Sequence, residues 1–208
     1  MKIVKPKMSK CLENIELNRD LVKEDLVDIK NAYQEIDFKI ENIEINGCKF
    51  INVDFSKYQL KNVDLIDCIF ERCNLSGCNF SNKTIHRVIF DKCNMVGVDF
   101  ISCSLVDISI LESKCNYINF SDSKLKHLEI ESSVVKDGRF VSTNFNDISF
   151  KDNIFDGCEF LNTKLKDIDF SSCNISNIGI SANDVRGIIV NSEQALSLIS
   201  LFGINIKE

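Results

Sequence analysis

Histidine occurs only twice in this chain, at His86 and His127, and the eight glycines are scattered rather than gathered into a phosphate-cradling loop. None of the ten cysteines forms a CxxC pair, so neither a zinc-ligand pattern nor a redox motif is present. No apolar run approaches the roughly 18 residues that span a bilayer. The basic start, Met1 to Lys7, lacks the apolar stretch of a secretion signal. Lys and Arg number 25 against 31 Asp and Glu, giving a formal charge of -6 and no nucleic-acid-binding excess of positive charge. These absences lead us to expect a cytoplasmic protein with no cofactor, no metal and no direct contact with nucleic acid or membrane. Its 208 residues suffice for one sizeable domain.

What the chain has instead is a period of five. From Ile40 to Val190 nearly every multiple of five is apolar: Ile40, Ile45, Phe50, Phe55 and Leu60 begin a series that closes with Ile175, Ile180, Val185 and Val190. Neither a helix nor a simple strand produces that spacing, so it marks a repeat architecture. Calling the fifth position i, position i-2 is also mostly apolar or small. Cys48, Cys68, Cys73, Cys78, Cys93, Cys103, Cys158 and Cys173 all fall there, which identifies them as small core thiols in a reducing compartment.

Residues i-2 and i share a face of an extended segment. Three residues then separate i from the next i-2, an odd step that would send it outward unless the chain turns at i+1 and i+2. Gly47, Gly77, Gly97, Gly157 and Gly187 all occupy i+2, as do Asn42, Asn52, Asn62, Asn82, Asn162 and Asn177. That is the position where a type II turn requires positive φ.

Phenylalanine sets the number of sides. Phe80, Phe100, Phe120, Phe140 and Phe160 recur at intervals of twenty, and Phe50, Phe70, Phe90, Phe150 and Phe170 form a second set offset by ten. A four-sided coil puts the two sets on opposite walls, whereas three or five sides do not. The 31 fifth positions make nearly eight coils, a rod about 37 Å long at the spacing of neighbouring strands. Three inward positions look irregular: Lys83 and Asn153 are polar, and Gly138 leaves its place nearly empty. The Lys83 ammonium is expected to escape outward along its stem.

The reading divides the chain into a lead and cap over residues 1–37, the repeat over 38–190, and a tail over 191–208. Leu21, Leu26, Ile29, Tyr33 and Ile36 fit a short amphipathic helix loosely, with an irregular cap as the alternative. In the tail, Asn191 or Ser192 is the N-cap of a helix whose stripe is Ala195, Leu198, Ile199 and Phe202, with Gly203 stopping it. That stripe either caps the last coil or forms a dimer contact.

Segments such as Cys73-Asn-Leu-Ser-Gly-Cys-Asn-Phe80 and Gly157-Cys-Glu-Phe160 resemble the pentapeptide-repeat proteins, whose repeat reads roughly A/C-D/N-L/F-x-x. The resemblance covers residues 38–190 and implies an all-β fold, a right-handed quadrilateral β-helix, followed here by a short C-terminal α-helix. The run Asp184-Val-Arg-Gly-Ile-Ile-Val190, with Gln194-Ala-Leu and Leu201-Phe-Gly-Ile204, looks like the C-terminal module of Firmicute members. It is also similar to the tail of the Qnr-type and MfpA-type proteins. In those relatives the tail joins two rods end to end, which implies a homodimer through the C-terminal helix. Such relatives are described as binding DNA gyrase or topoisomerase IV, partly by imitating the shape and charge of B-DNA. The Qnr-type loops that project between repeats have no counterpart in an unbroken fivefold phase.

The outward residues sort onto four walls. The most acidic wall carries Glu71, Asp91, Glu112, Glu129, Glu131, Asp152 and Asp169, diluted by Lys49, Arg72, Lys92 and Lys151. A second wall is bipolar, with Glu44, Asp64, Asp67 and Asp107 near its start and Lys124, Lys126, Lys164, Lys166 and Arg186 beyond. His86 and His127 lie on this bipolar wall about two coils apart, roughly 10 Å, too far to share a ligand or proton. No catalytic constellation emerges, and a convex rod offers no evident pocket. The expected function is that of a non-catalytic interaction rod with a protein partner. The alternative is a DNA mimic that binds a type II topoisomerase.

Overall fold

The computed structural model of the chain describes residues 2–8, 29–30, 44–57, 60 and 62–204. Among the described residues eight strands, all paired in parallel, form a single sheet: β1 (Ile29–Lys30), β2 (Glu44–Asn46), β3 (Lys49–Ile51), β4 (Asp64–Glu71), β5 (Thr84–Asp91), β6 (Ser104–Leu111), β7 (Lys124–Glu131) and β8 (Asn144–Lys151). Each of β4 to β7 pairs with the next at an offset of twenty residues: Phe70 faces Phe90, Ile108 faces Leu128 and Leu125 faces Phe145. Isolated bridges extend the same offset along two further ladders, from Asp54 through Asn74 and Asn94 to Asn174, and from Asn79 through Asp99 to Gly179. The repeat of twenty is therefore one coil of a β-solenoid.

The corner between sides lies where parity requires it. Every described non-glycine residue with positive φ, from Asn52 to Asn177, occupies i+2. These residues include Arg72, Glu112, Tyr117 and His127, side chains that seldom adopt this conformation. Each eight-residue strand bends at such a corner, at Asp67, Arg87, Asp107, His127 and Asp147. At the Gly157 corner a Cβ would lie 2.6 Å from Asp137 Oδ1, the tip of an exposed side chain that can turn away, so it is the φ of 71° that favours glycine there.

The interior is two stacks of phenylalanine meeting edge to face. Phe80, Phe100, Phe120, Phe140 and Phe160 stack with centroids 5.3, 5.1, 5.3 and 4.7 Å apart. On the facing wall Phe50, Phe70 and Phe90 stack at 4.9 and 5.2 Å, and Phe90 meets Phe100 at 60°. Such spacings are favourable beyond the apolar area they bury.

Position i-2 has a chemical rule as well as a size rule. Its thiols and hydroxyls donate to the carbonyl 23 residues earlier: Cys103 to Phe80, Cys158 to Val135, Ser123 to Phe100 and Thr143 to Phe120. Cys, Ser and Thr interchange there because each supplies a short donor to a backbone acceptor. Asn153 obeys the same rule and is no blemish. Its amide donates to Ile130 O at 2.6 Å and its oxygen accepts from Ser133 N at 2.9 Å. Burial pushes the thiols of Cys78, Cys115 and Cys158 up to about 12, so these cysteines stay protonated. Lys83 is half-buried and reaches outward to Asp64 at 3.8 Å. The place of Gly138 is not empty, contrary to expectation. A Cβ there would lie 2.8 Å from Val135 Cγ1 and 3.3 Å from Cys158 Sγ, so neighbouring side chains have closed over it.

Of the stretch expected as a loose helix or irregular cap, Ile29–Lys30 is a strand paired with Phe50 and Ile51. Leu21, Leu26, Tyr33 and Ile36 lie outside the described residues. Phe120 is fully buried between Phe100 and Phe140. Phe120→Ala is expected to cost about 3–5 kcal/mol in urea unfolding. A loss below about 1 kcal/mol, typical of surface substitutions, would contradict this register.

Candidate functional site

Three surfaces carry the outward chemistry. On the acidic wall, side chains twenty residues apart are neighbours on successive coils, and the acids there find cations. Glu71 pairs with Lys49 at 3.0 Å and with Arg72 at 2.5 Å, and hydrogen bonding to Lys49 holds its carboxyl below the ordinary range. Lys92 bridges Asp91 at 4.0 Å and Glu112 at 3.4 Å, Lys151 pairs with Glu131, and Ser109 donates to Glu129. Asp152 and Asp169 are exposed at the far end, where Asp169 accepts from Ser171 N at 2.8 Å. The wall is therefore a ladder of local pairs rather than a continuous negative stripe.

The bipolar wall is more organised than its composition indicates. Its i+2 corners read Asp67, Arg87, Asp107, His127 and Asp147, a column in which acidic and basic residues alternate. Arg87 grips Asp67 with Nε at 2.5 Å and Nη2 at 2.6 Å. Its Nη1 lies 2.9 Å from the ring nitrogens of His86. His127 Nδ1 lies 2.9 Å from Asp107 Oδ1, and His86 Nε2 lies 3.6 Å from Asp107 Oδ2. The two histidines therefore share a carboxylate, which the coil separation alone seemed to forbid. The intervening acid bridges them from the coil between.

Asp67 and Asp107 are 7% and 6% exposed, unusually low for outward carboxylates. The cover comes from residues 2–8, which run along the wall: Lys7 N donates to Asp67 Oδ1 at 2.8 Å, and Val4 N donates to Asp107 Oδ1 at 3.1 Å. Burial alone would raise the Asp67 carboxyl, but the Arg87 and Lys7 hydrogen bonds outweigh it and hold the group below its ordinary value.

The third surface is the C-terminal end. Helix α1 (Ser192–Leu198) starts at Asn191, whose side chain accepts from Gln194 N while Gln194 accepts from Asn191 N, a capping box. The Gln194 amide also donates to Phe170 O and Cys173 O, sealing open carbonyls of the last coil. A 3-10 turn, Ile199–Phe202, follows and ends at Gly203 with φ 67°. Leu198 is buried in the core, and Ala195 and Ile199 are half-buried. The tighter turn rotates Phe202 off the expected stripe, and it is 53% exposed. The outward apolar surface at this end is Ile189, Leu196, Leu201, Phe202 and Ile204. Between α1 and the last coil lies a cleft of about 640 Å³ lined by Cys173, Ile175, Ile178, Gln194, Leu198 and their neighbours, a concavity the rod pattern did not lead us to expect.

Residues 63–140 match the family model described as pentapeptide repeat region. Residues 63–140 are a pentapeptide repeat region. Among solved structures it is similar to a trypsin-treated form of QnrB1, a plasmid-mediated fluoroquinolone resistance protein, with 18% identity over 87% of this chain and 96% of that one and a TM-score of 0.39. It is also similar to HetL, a pentapeptide repeat protein involved in heterocyst differentiation regulation from the cyanobacterium Nostoc sp. strain PCC 7120, with 9% identity over 78% of this chain and 80% of that one and a TM-score of 0.35. No curated protein matches the sequence.

The informative residues missed in the sequence are Arg87, Val4 and Lys7. Arg87 carried a readable signal, because residues twenty apart at i+2 alternate between acidic and basic. Val4 and Lys7 carried none, since their backbone makes the contact and residues 2–8 precede the repeat. Among the described residues no cluster could hold a metal, and no helix is long and apolar enough to cross a membrane.

Replacing Asp67 tests the column. Asp67→Asn is expected to lower stability by about 1.5–3 kcal/mol at neutral pH, the scale of hydrogen bonds to a charged group. The folded carboxyl titrates below its ordinary value of 3.8, so its contribution is present above that pH and fades as pH falls toward the folded value. The gap between the urea melts of the two proteins should therefore begin to narrow only as pH falls below about 4.

Proposed function

We propose that the protein is a non-catalytic, rod-shaped interaction module that docks a protein partner along its walls and joins a second copy through its C-terminal end. The observation that carries the reading is the regular solenoid, whose outward charges are organised into coil-to-coil ladders. Solenoids of this kind bind through extended, shape-defined surfaces. Retention of a stoichiometric partner from the native host should be lost on charge reversal of one wall, as in Lys124→Glu with Lys126→Glu. If retention is indifferent to every wall, the docking reading fails. A cytoplasmic location accords with thiols buried as core side chains, such as Cys68, Cys103 and Cys158.

The exposed patch of Ile189, Leu196, Leu201, Phe202 and Ile204 supports the homodimer. Ala195, Leu198 and Ile199 support it from beneath, against their own rod. Sedimentation should return twice the monomer mass of 23.7 kDa, and Phe202→Asp should halve it. A wild-type monomer at high concentration would refute the dimer.

A second reading draws on the exposed Asp152 and Asp169 and on the resemblance of the tail: a DNA mimic that binds gyrase or topoisomerase IV. Charge mimicry needs unpaired acids along the rod, and the pairs at Glu71, Asp91, Glu112 and Glu131 weigh against it. A supercoiling assay with and without a quinolone decides between them. If micromolar protein changes neither activity nor drug sensitivity, this second reading is wrong.

A further inference from the structure

Residues 2–8 are held on the bipolar wall by a regular relation between two unlike repeats. Val4 and Lys7 are three residues apart, and the acids they bind, Asp107 and Asp67, are two coils apart. Two coils rise about 9.6 Å at the spacing of neighbouring strands. Three residues of polyproline II rise about 9.3 Å. An extended chain of that kind therefore keeps step with every second corner of the rod and presents one backbone amide to each acid.

Two side chains keep the same step. Ile3 and Pro6 are half-buried at an interval of three, and Met8 is half-buried outside that interval, whereas Lys2, Val4, Lys5 and Lys7 are exposed. Pro6 lacks an amide at a place where none is used, because the donors are its neighbours in the three-residue register. The wall is also preorganised. Arg87 clamps both oxygens of Asp67, and His127 and His86 flank the two oxygens of Asp107, so both carboxylates are fixed before any amide arrives. Fixing acceptors in advance removes part of the ordering cost of binding.

We propose that this column is a binding site for an extended, lysine-rich peptide, read through its backbone amides at every third residue, and that residues 2–8 are its resident occupant. The site takes a partner segment with an apolar residue or proline at every third position and an amide directly after it. Lysines fill three of the remaining places, at Lys2, Lys5 and Lys7, and are exposed beside a column that holds Asp67, Asp107 and Asp147. The tether makes the resident strand a competitor at an effective concentration on the order of millimolar, so a free peptide gains access only by displacing it. The proposal deepens the docking reading by naming the chemistry of one partner class, and it rests on that reading for its biological use.

The test keeps the full chain and disables the occupant from within. Val4→Pro with Lys7→Pro removes both amide donors while leaving the wall intact. A fluorescein-labelled peptide of residues 2–8 should then bind saturably in fluorescence polarisation, and wild type should need at least about tenfold more peptide for the same occupancy. Adding Asp67→Asn with Asp107→Asn, or methylating the peptide nitrogens at Val4 and Lys7, should weaken binding by at least about tenfold. In wild type the Val4 and Lys7 amides should exchange with deuterium more slowly than in the free peptide. The proposal is overturned if the Val4→Pro, Lys7→Pro chain melts as wild type does yet binds the peptide no better. It is equally overturned if the two amides of wild type exchange at the free-peptide rate, a measurement that needs no variant to fold. Neither readout uses a protein partner, so peptide binding without partner capture would sink the docking reading and leave this site standing.

Discussion

The left-handed corner at i+2 is the constraint on which everything else depends. An extended triplet places i-2 and i inward, and only a turn completed by positive φ two residues later brings the next triplet inward as well. Glycine adopts that conformation freely, yet most corners carry Asn, Asp, Ser or even Arg, His and Glu. For such side chains the left-handed region costs about 1–2 kcal/mol per residue. The chain tolerates it because each corner lies between coils whose backbone groups are bonded above and below, as when Asn52 N donates to Glu71 O and Asn74 N to Val53 O. The corner makes the register possible, and the register holds the corner in place.

A corner side chain cannot turn inward, so it meets its counterpart twenty residues away. That geometry converts sequence at long range into contacts at short range. The same offset that stacks Phe100 on Phe120 inside sets Arg87 against Asp67 and Lys92 against Glu112 outside. Like charges at successive corners would repel at coil spacing, and the Asp-Arg-Asp-His-Asp column avoids this by alternation. Inside, an offset of 23 carries the donors of Cys103, Ser123 and Thr143 to carbonyls of the preceding coil. Small residues are selected there for a hydrogen bond as much as for their volume.

Much of this fold is legible in the sequence because the repeat states each rule many times. The glycines identify the corner, the phenylalanines count the sides, and Asn191 marks the start of the helix. What was hidden lies where a rule is used once. Asn153 and Gly138 look wrong as isolated letters, and only the atoms around them show a satisfied amide in one case and a closed gap in the other. Phe202 left its stripe because a 3-10 turn replaced the last helical turn, a change of pitch with no letter of its own. The strand over Asp67 and Asp107 was invisible for a deeper reason. It is held by backbone amides of residues outside the period, and periodicity says nothing about what lies across it.

In a rod whose walls repeat, recognition has to come from the places where repetition stops. A ladder of paired side chains offers a partner the same groups at each coil, so position along the rod is poorly defined by it. Three interruptions break the degeneracy. Between Asp67 and Asp107 the wall is covered by a segment of different pitch, and the coincidence of three residues with two coils fixes one register. At the far end of the acidic wall Asp152 and Asp169 are exposed. At the C-terminus the ladder of carbonyls is closed by Gln194, beside which Ile189, Leu196, Phe202 and Ile204 are exposed. Each interruption changes the chemistry at a known height on the rod, and that gives a uniform solenoid distinguishable ends and a distinguishable side.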